Sequence, residues 1–146
     1  MNYDMKTANN TGKSARQNIL VEKSFAMAVR MVKLQRHLVK EKAEYTVSKQ
    51  LVRSGTNPGA MIREAQNAES DSDFVHKLGI AQKETDETLY WLELLHAADL
   101  LNEIEFLSLH KDVEEVLKLL RSVIISKKTN MLKMKTINTQ APKNNS

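Results

Sequence analysis

The chain has 146 residues, a net charge of +4, few aromatics, four glycines, two prolines and no cysteine. The last fact excludes disulfides and thiolate metal sites, and so few turn formers speak against strands joined by tight turns. No apolar run approaches the roughly 20 residues of a membrane span, so the composition, rich in Leu, Lys, Glu, Ala and Met, points to one all-α domain acting in the cytoplasm without membrane contact.

Residues 1–18 are polar, lack the apolar core of a signal peptide, and read as a disordered N-terminal tail. A four-helix bundle is expected over 19–128. The first helix is predicted over 20–41, where Val21, Phe25, Ala28, Val32 and Val39 fall on one face at about 100° per residue. Met27, Met31, Leu34 and Leu38 form a second apolar stripe, and Lys23, Arg30, Lys33, His37 and Lys40 line the side away from Val32. Two apolar stripes exceed what one bundle core uses, so the second is read as a surface for self-association.

The second helix is expected from Ala43 to Glu69, broken at Gly55-Thr56-Asn57-Pro58-Gly59. Asn57 would cap a new start with Pro58 in the first turn, because an interior proline cannot donate back. The third helix is the clearest. Ser70-Asp71-Ser72-Asp73 supplies caps and negative charge, and Phe74, Leu78, Ala81, Thr85, Thr88, Leu92 and Leu95 make a heptad-like seam. Ile80, Trp91 and Leu94 share another face, the second candidate for an oligomer interface. Asn102-x-x-Glu105 reads as a capping box opening the fourth helix, whose core stripe is Leu109, Val113, Val116, Leu120 and Val123, flanked by Leu117 and Ile124. Residues 129–146 read as a flexible basic tail. Short connections between long helices make the bundle antiparallel and up-and-down.

Charge is segregated along the chain. Residues 23–54 hold eight basic and two acidic side chains, residues 55–103 three and ten, and residues 104–146 eight and four. Such asymmetry serves either charge matching within and between subunits or nucleic-acid contact. Lys23, Arg30, Lys33, Lys40, Lys127 and Lys128, with Lys133 and Lys135, are the candidates for phosphate contact. They lack interleaved aromatics, so base-specific reading of single strands is not expected.

Catalytic chemistry finds little footing. The chain has no G-x-S-x-G and no phosphate-binding loop. Glu93-x-x-His96 and Asp73-x-x-His76 lie on one helix about 30 Å apart and cannot share a metal. No metal, cofactor or small-molecule substrate is therefore expected. Arg30 and His37 have a spacing compatible with helical ribonucleases, the alternative to a non-enzymatic reading. Arg53, Arg63, Glu64, Glu84 and Glu87 are read as a polar network fixing how helices 2 and 3 meet.

The stretch QLVRSGTNPGAMIREA (50–65), followed by FVHKLGIAQKETDETLYWLELL (74–95), resembles the bacterial four-helix-bundle family of proteins encoded in intervening sequences of large-subunit ribosomal RNA genes. That family also includes the accessory variability determinant of diversity-generating retroelements. The resemblance covers residues 20–128 and implies a ring-forming bundle, typically a homopentamer. Its retroelement members bind a reverse transcriptase and nucleic acid. The function it implies here is a non-enzymatic, oligomeric binding or assembly module, with RNA or a reverse-transcriptase complex as partner, or an orphan structural protein with no nucleic-acid role.

Overall fold

The computed structural model describes residues 15–142. Four helices follow one another, α1 (Ala15–Lys42), α2 (Val47–Ala65), α3 (Asp71–Ala97) and α4 (Glu103–Gln140). Each packs on two others: α1 and α3 both lie against α2 and α4. Connections of a few residues reverse the chain each time, which gives the expected antiparallel up-and-down bundle, and among the described residues there is no strand.

Local chemistry sets the helix ends. Ala43 takes a left-handed φ of 50° just after α1, and the Glu44 N–H bonds back to the Leu38 carbonyl at 3.0 Å, so the last carbonyls of α1 are answered. The Glu44 carboxylate then accepts the N–H groups of Thr46, Val47 and Ser48 at 3.1, 2.7 and 2.7 Å, capping α2 in place of its N-cap residue Thr46. Burial is the largest single influence on this carboxyl and would raise its pKa. The donors from Ser48, Val47 and Thr46 together outweigh burial and hold it below the usual glutamate value. Ser70 Oγ accepts from Asp73 N–H at 3.0 Å to start α3, and Asn102 Oδ1 accepts from Glu105 N–H at 2.8 Å to start α4.

The seams expected for α3 and α4 are the ones that are buried, from Phe74 to Leu95 and from Leu109 to Ile124. Helix α1 differs. Its core stripe is Leu20, Ser24, Met27, Met31, Leu34 and Leu38, all buried, whereas Phe25 is 53% and Val32 39% exposed. Met27, Met31, Leu34 and Leu38 are thus corrected from an outer interface to the core. The reason lies in α2. A Cβ on Gly55 would stand 2.4 Å from Met31 Cγ, and one on Gly59 would stand 3.5 Å from the Ser24 carbonyl oxygen. These two glycines let α1 approach with its Ser24 and Met31 side inward.

Helix α2 is also not broken at Asn57-Pro58, as the sequence suggested. It runs without interruption from Val47 to Ala65 with Pro58 inside and buried. The lost hydrogen bond to the Ser54 carbonyl is offset by packing: Leu51, Pro58, Ile62 and Ala65 are all buried on one side. Ser54 Oγ lies 3.0 Å from Thr88 Oγ1 across the contact with α3 and donates to the Leu51 carbonyl. A third difference is at the C-terminus, where α4 does not stop at Lys128 but continues to Gln140. At the other end residues 15–18 are already helical. The rest of the expected N-terminal tail lies outside the described residues.

Two expectations follow. Gly55→Val forces a branched side chain into Met31 and lowers unfolding free energy by about 2 kcal/mol, whereas Gly79→Ala, with nothing within 4 Å of the new methyl group, raises it by about 1 kcal/mol through helix propensity; urea denaturation reads both. Because the pKa of Glu44 is lowered on folding, its stabilisation is present above the unfolded-state pKa and lost as pH falls through the lower folded value. Glu44→Ala therefore costs about 1 kcal/mol or less near neutral pH, and the stability curves of mutant and parent converge in acid.

Candidate oligomer and nucleic-acid surfaces

With the methionine stripe buried, the large apolar residues left outside on α1 are Ile19, Phe25, Val29 and Val32. Phe25 also lines a groove of about 390 Å³ between α1 and α2, with Val21, Ala28, Gly59, Ala60 and Arg63 among others. The groove exists because the residues under it are small. The same glycine that allows helix contact leaves a trough on the outer side. A second apolar edge lies on α3, where Leu94 and Tyr90 are exposed while Ile80 and Trp91 are partly buried. Tyr90 meets Trp91 edge-on at 4.9 Å, and the indole N–H of Trp91 donates to Glu87 at 3.1 Å.

The polar network forms in part. Arg53 bridges Glu84 at 3.0 Å and also pairs with Glu87, which clips α2 to α3. Glu64 instead faces Lys77 at 4.0 Å, and Arg63 lines the α1/α2 groove. Arg53 and Glu64 both reach α3 but lie about three turns apart along α2 and meet different partners there, while Arg63 turns toward α1, so the five residues do not form one network. Arg53 and both partners keep contact with solvent, so the clip steers helix placement more than it adds stability.

The basic candidates divide. Lys23 pairs with Glu115 at 3.1 Å. Arg30 pairs with Asp112 at 2.7 Å and reaches Ser108. Lys127 pairs with Asp71 at 2.8 Å and lies 5.3 Å over the Phe74 ring. These three serve to match charge between helices. Lys33, Lys40 and Lys128, with Lys133 and Lys135, have no ion-pair partner among the described residues. Of the candidates, those left without an ion pair therefore lie on the outer edge of α1 and along the end of α4. Sequence pattern could not separate the two sets, because the acidic partners come from helices far along the chain.

Arg30 and His37 line one shallow cleft of about 280 Å³ with Lys33 and Glu105, but Asp112 and Ser108 already hold the Arg30 guanidinium. Glu93 and His96 turn to different partners. His96 stacks on Phe106 with centroids 4.3 Å apart, and Glu93 lies 3.4 Å from His110, whose other ring nitrogen faces Glu114 at 3.6 Å. Among the described residues no three His, Asp or Glu side chains are grouped to hold a metal ion, and no helix is long and apolar enough to cross a membrane.

Comparison with known proteins bears on the fold and the lineage. No curated protein matches the chain. A crystal structure from Bacteroides thetaiotaomicron, of a protein with unknown function from the S23 ribosomal protein family, is 47% identical, with a TM-score of 0.74, covering 75% of this chain and 97% of that one. The family model for the 23S rRNA-intervening sequence protein matches residues 16–122, a span that takes in α1, α2, α3 and the bundled part of α4. The chain belongs to the 23S rRNA-intervening sequence protein family.

Proposed function

We propose that the protein is a non-enzymatic assembly module of the cytoplasm: a bundle that associates with copies of itself through its outer apolar faces and contacts nucleic acid through its unpaired lysines. The observation that carries this reading is the strip of Phe25, Val29 and Val32, left in solvent beside a groove floored by Gly59. Contiguous exposed apolar surface of this kind marks an interaction site. The α3 edge of Tyr90 and Leu94 offers a second face, and two different faces on one subunit build a ring when the rotation between neighbours closes. The resemblance drawn from the sequence favours five subunits. A ring would repeat the unpaired lysines around its rim and multiply the field felt by a polyanion. RNA, free or held by a reverse transcriptase, is the partner such a rim suits, with phosphate contact dominating.

Sedimentation velocity at micromolar concentration is expected to show a discrete ring-sized species, and Phe25→Asp to shift it to smaller species with unchanged helicity. A parent chain that sediments as a monomer would sink the assembly reading. For the second half, Lys128→Glu, Lys133→Glu and Lys135→Glu combined are expected to weaken RNA binding about tenfold at low salt and to flatten its salt dependence by about two to three charges. Undetectable binding of the parent chain to RNA and DNA at low salt would reduce these lysines to a solvated face.

A further inference from the structure

The end of α4 is a feature that neither lateral faces nor phosphate contact uses in full. Residues 129–140 form an arm about 18 Å long. The buried stripe of Leu109, Val113, Val116, Leu120 and Val123 continues along it at the same helical spacing toward Met131, Met134 and Ile137. There the described residues lay no helix over it, and Met134 and Ile137 are exposed. Three threonines on the arm, Thr129, Thr136 and Thr139, return their hydroxyls to carbonyls four residues earlier, so its polar side is satisfied within the helix. No acidic residue follows Glu115 in the sequence, and Lys128 at the base of the arm and Lys133 and Lys135 on it have no ion-pair partner among the described residues.

The opposite end of the bundle is its complement. A cleft of about 710 Å³ opens there between the end of α1 and the α3–α4 turn, lined by His37, Glu41, Lys42, Asp99, Asn102 and Glu105 among others. Beside it Ile104 is 83% and Leu107 57% exposed on the first turns of α4. Glu41, Asp99, Glu103 and Glu105 have no ion-pair partner among the described residues. Lys40 and Lys42 end α1 at the same place, but the four carboxylates outnumber them, so one end is apolar and net acidic, with a concave site, and the other carries a projecting helix that is apolar and basic.

We propose that the α4 arm of one copy docks on the acidic cleft and the Ile104–Leu107 ridge of a second copy, head to tail. Arms cannot pair with each other without bringing together two sets of uncompensated lysines, so the contact joins unlike ends. It is separate from the lateral faces invoked for the ring, and it would link subunits or rings along the bundle axis. Because charge complementarity directs it, it weakens with salt.

The test is a charge exchange. An arm-reversed chain (Lys128→Glu, Lys133→Glu, Lys135→Glu) and an end-reversed chain (Glu41→Lys, Glu103→Lys, Glu105→Lys) are made in the Phe25→Asp background, which removes the lateral contact. All six positions are surface side chains, and circular dichroism checks the fold. At low salt the Phe25→Asp chain alone is expected to associate with concentration in sedimentation velocity, and each reversed chain to do so about tenfold more weakly. An equimolar mixture of the two reversed chains is expected to recover the association, since each arm then meets an end of opposite charge. Met134→Ser with Ile137→Ser is expected to weaken it without any change of charge. Failure of the mixture to recover overturns the proposal, as does association unaffected by either reversal. Loss of RNA binding with no self-association in any chain would assign the arm to nucleic acid alone and overturn it too.

Discussion

The close approach of α1 to α2 is the constraint on which the rest of the bundle turns. Gly55 and Gly59 leave no side chain on the face of α2 that meets α1, and Met31 and the Ser24 backbone occupy the space. This contact fixes the rotation of α1 about its own axis. Once Met31 and Ser24 face inward, the 4-3 spacing carries Leu20, Met27, Leu34 and Leu38 into the core with them, and Phe25, Val29 and Val32 must turn out. The outer groove, the direction of Lys23 and Arg30 toward α4, and the exposure of Lys33 and Lys40 all follow from that one rotation.

How much of this was legible in the sequence depended on whether a helix carries one plausible core stripe or two. Helix α4 has a single seam, and on α3 the regular seam from Phe74 to Leu95 outweighs the shorter edge of Ile80, Trp91 and Leu94, so residue pattern and burial agree down to Thr85 and Thr88, polar residues whose hydroxyls are answered within the core. Helix α1 has two stripes of similar apolar content, one interrupted by Ser24 and the other containing Phe25. Hydrophobicity chose the wrong one. The deciding information sits on α2, in glycines whose obvious reading was a helix break. Close helix contact uses the same residues as a turn, and Pro58 reinforced the confusion. The buried side of α2 then retains the helical conformation at a position where propensity opposes it.

The extent of α4 teaches a related lesson. Lys127 onward is polar enough to resemble a tail, yet no glycine or proline interrupts the helix before Pro142. The residue before a proline disfavours the helical conformation, and α4 ends at Gln140. Backbone stop signals, and not the loss of apolar pattern, set its length. Burial and helicity therefore part company at the end of α4, and the helix goes on as an arm after the core has ended.

Charge completes the picture, because it is distributed by the same topology. The basic residues of α1 and the acidic middle of the chain, which looked like a nucleic-acid stripe and its counterweight, form no ion pair with each other among the described residues. Lys23 and Arg30 find Glu115 and Asp112 on α4, while Asp99, Glu103 and Glu105 at the α3–α4 turn form no ion pair among the described residues, although Lys42 lines the same cleft. In an antiparallel bundle the ends of α1 and α3 and the starts of α2 and α4 lie together, which brings Glu41, Asp99, Glu103 and Glu105 to one end. The last residues of α4 can lie only at the other, with Lys128, Lys133 and Lys135 left without an ion-pair partner among the described residues. A subunit polarised in this way has partners of opposite sign at its two ends, and a copy of itself satisfies both.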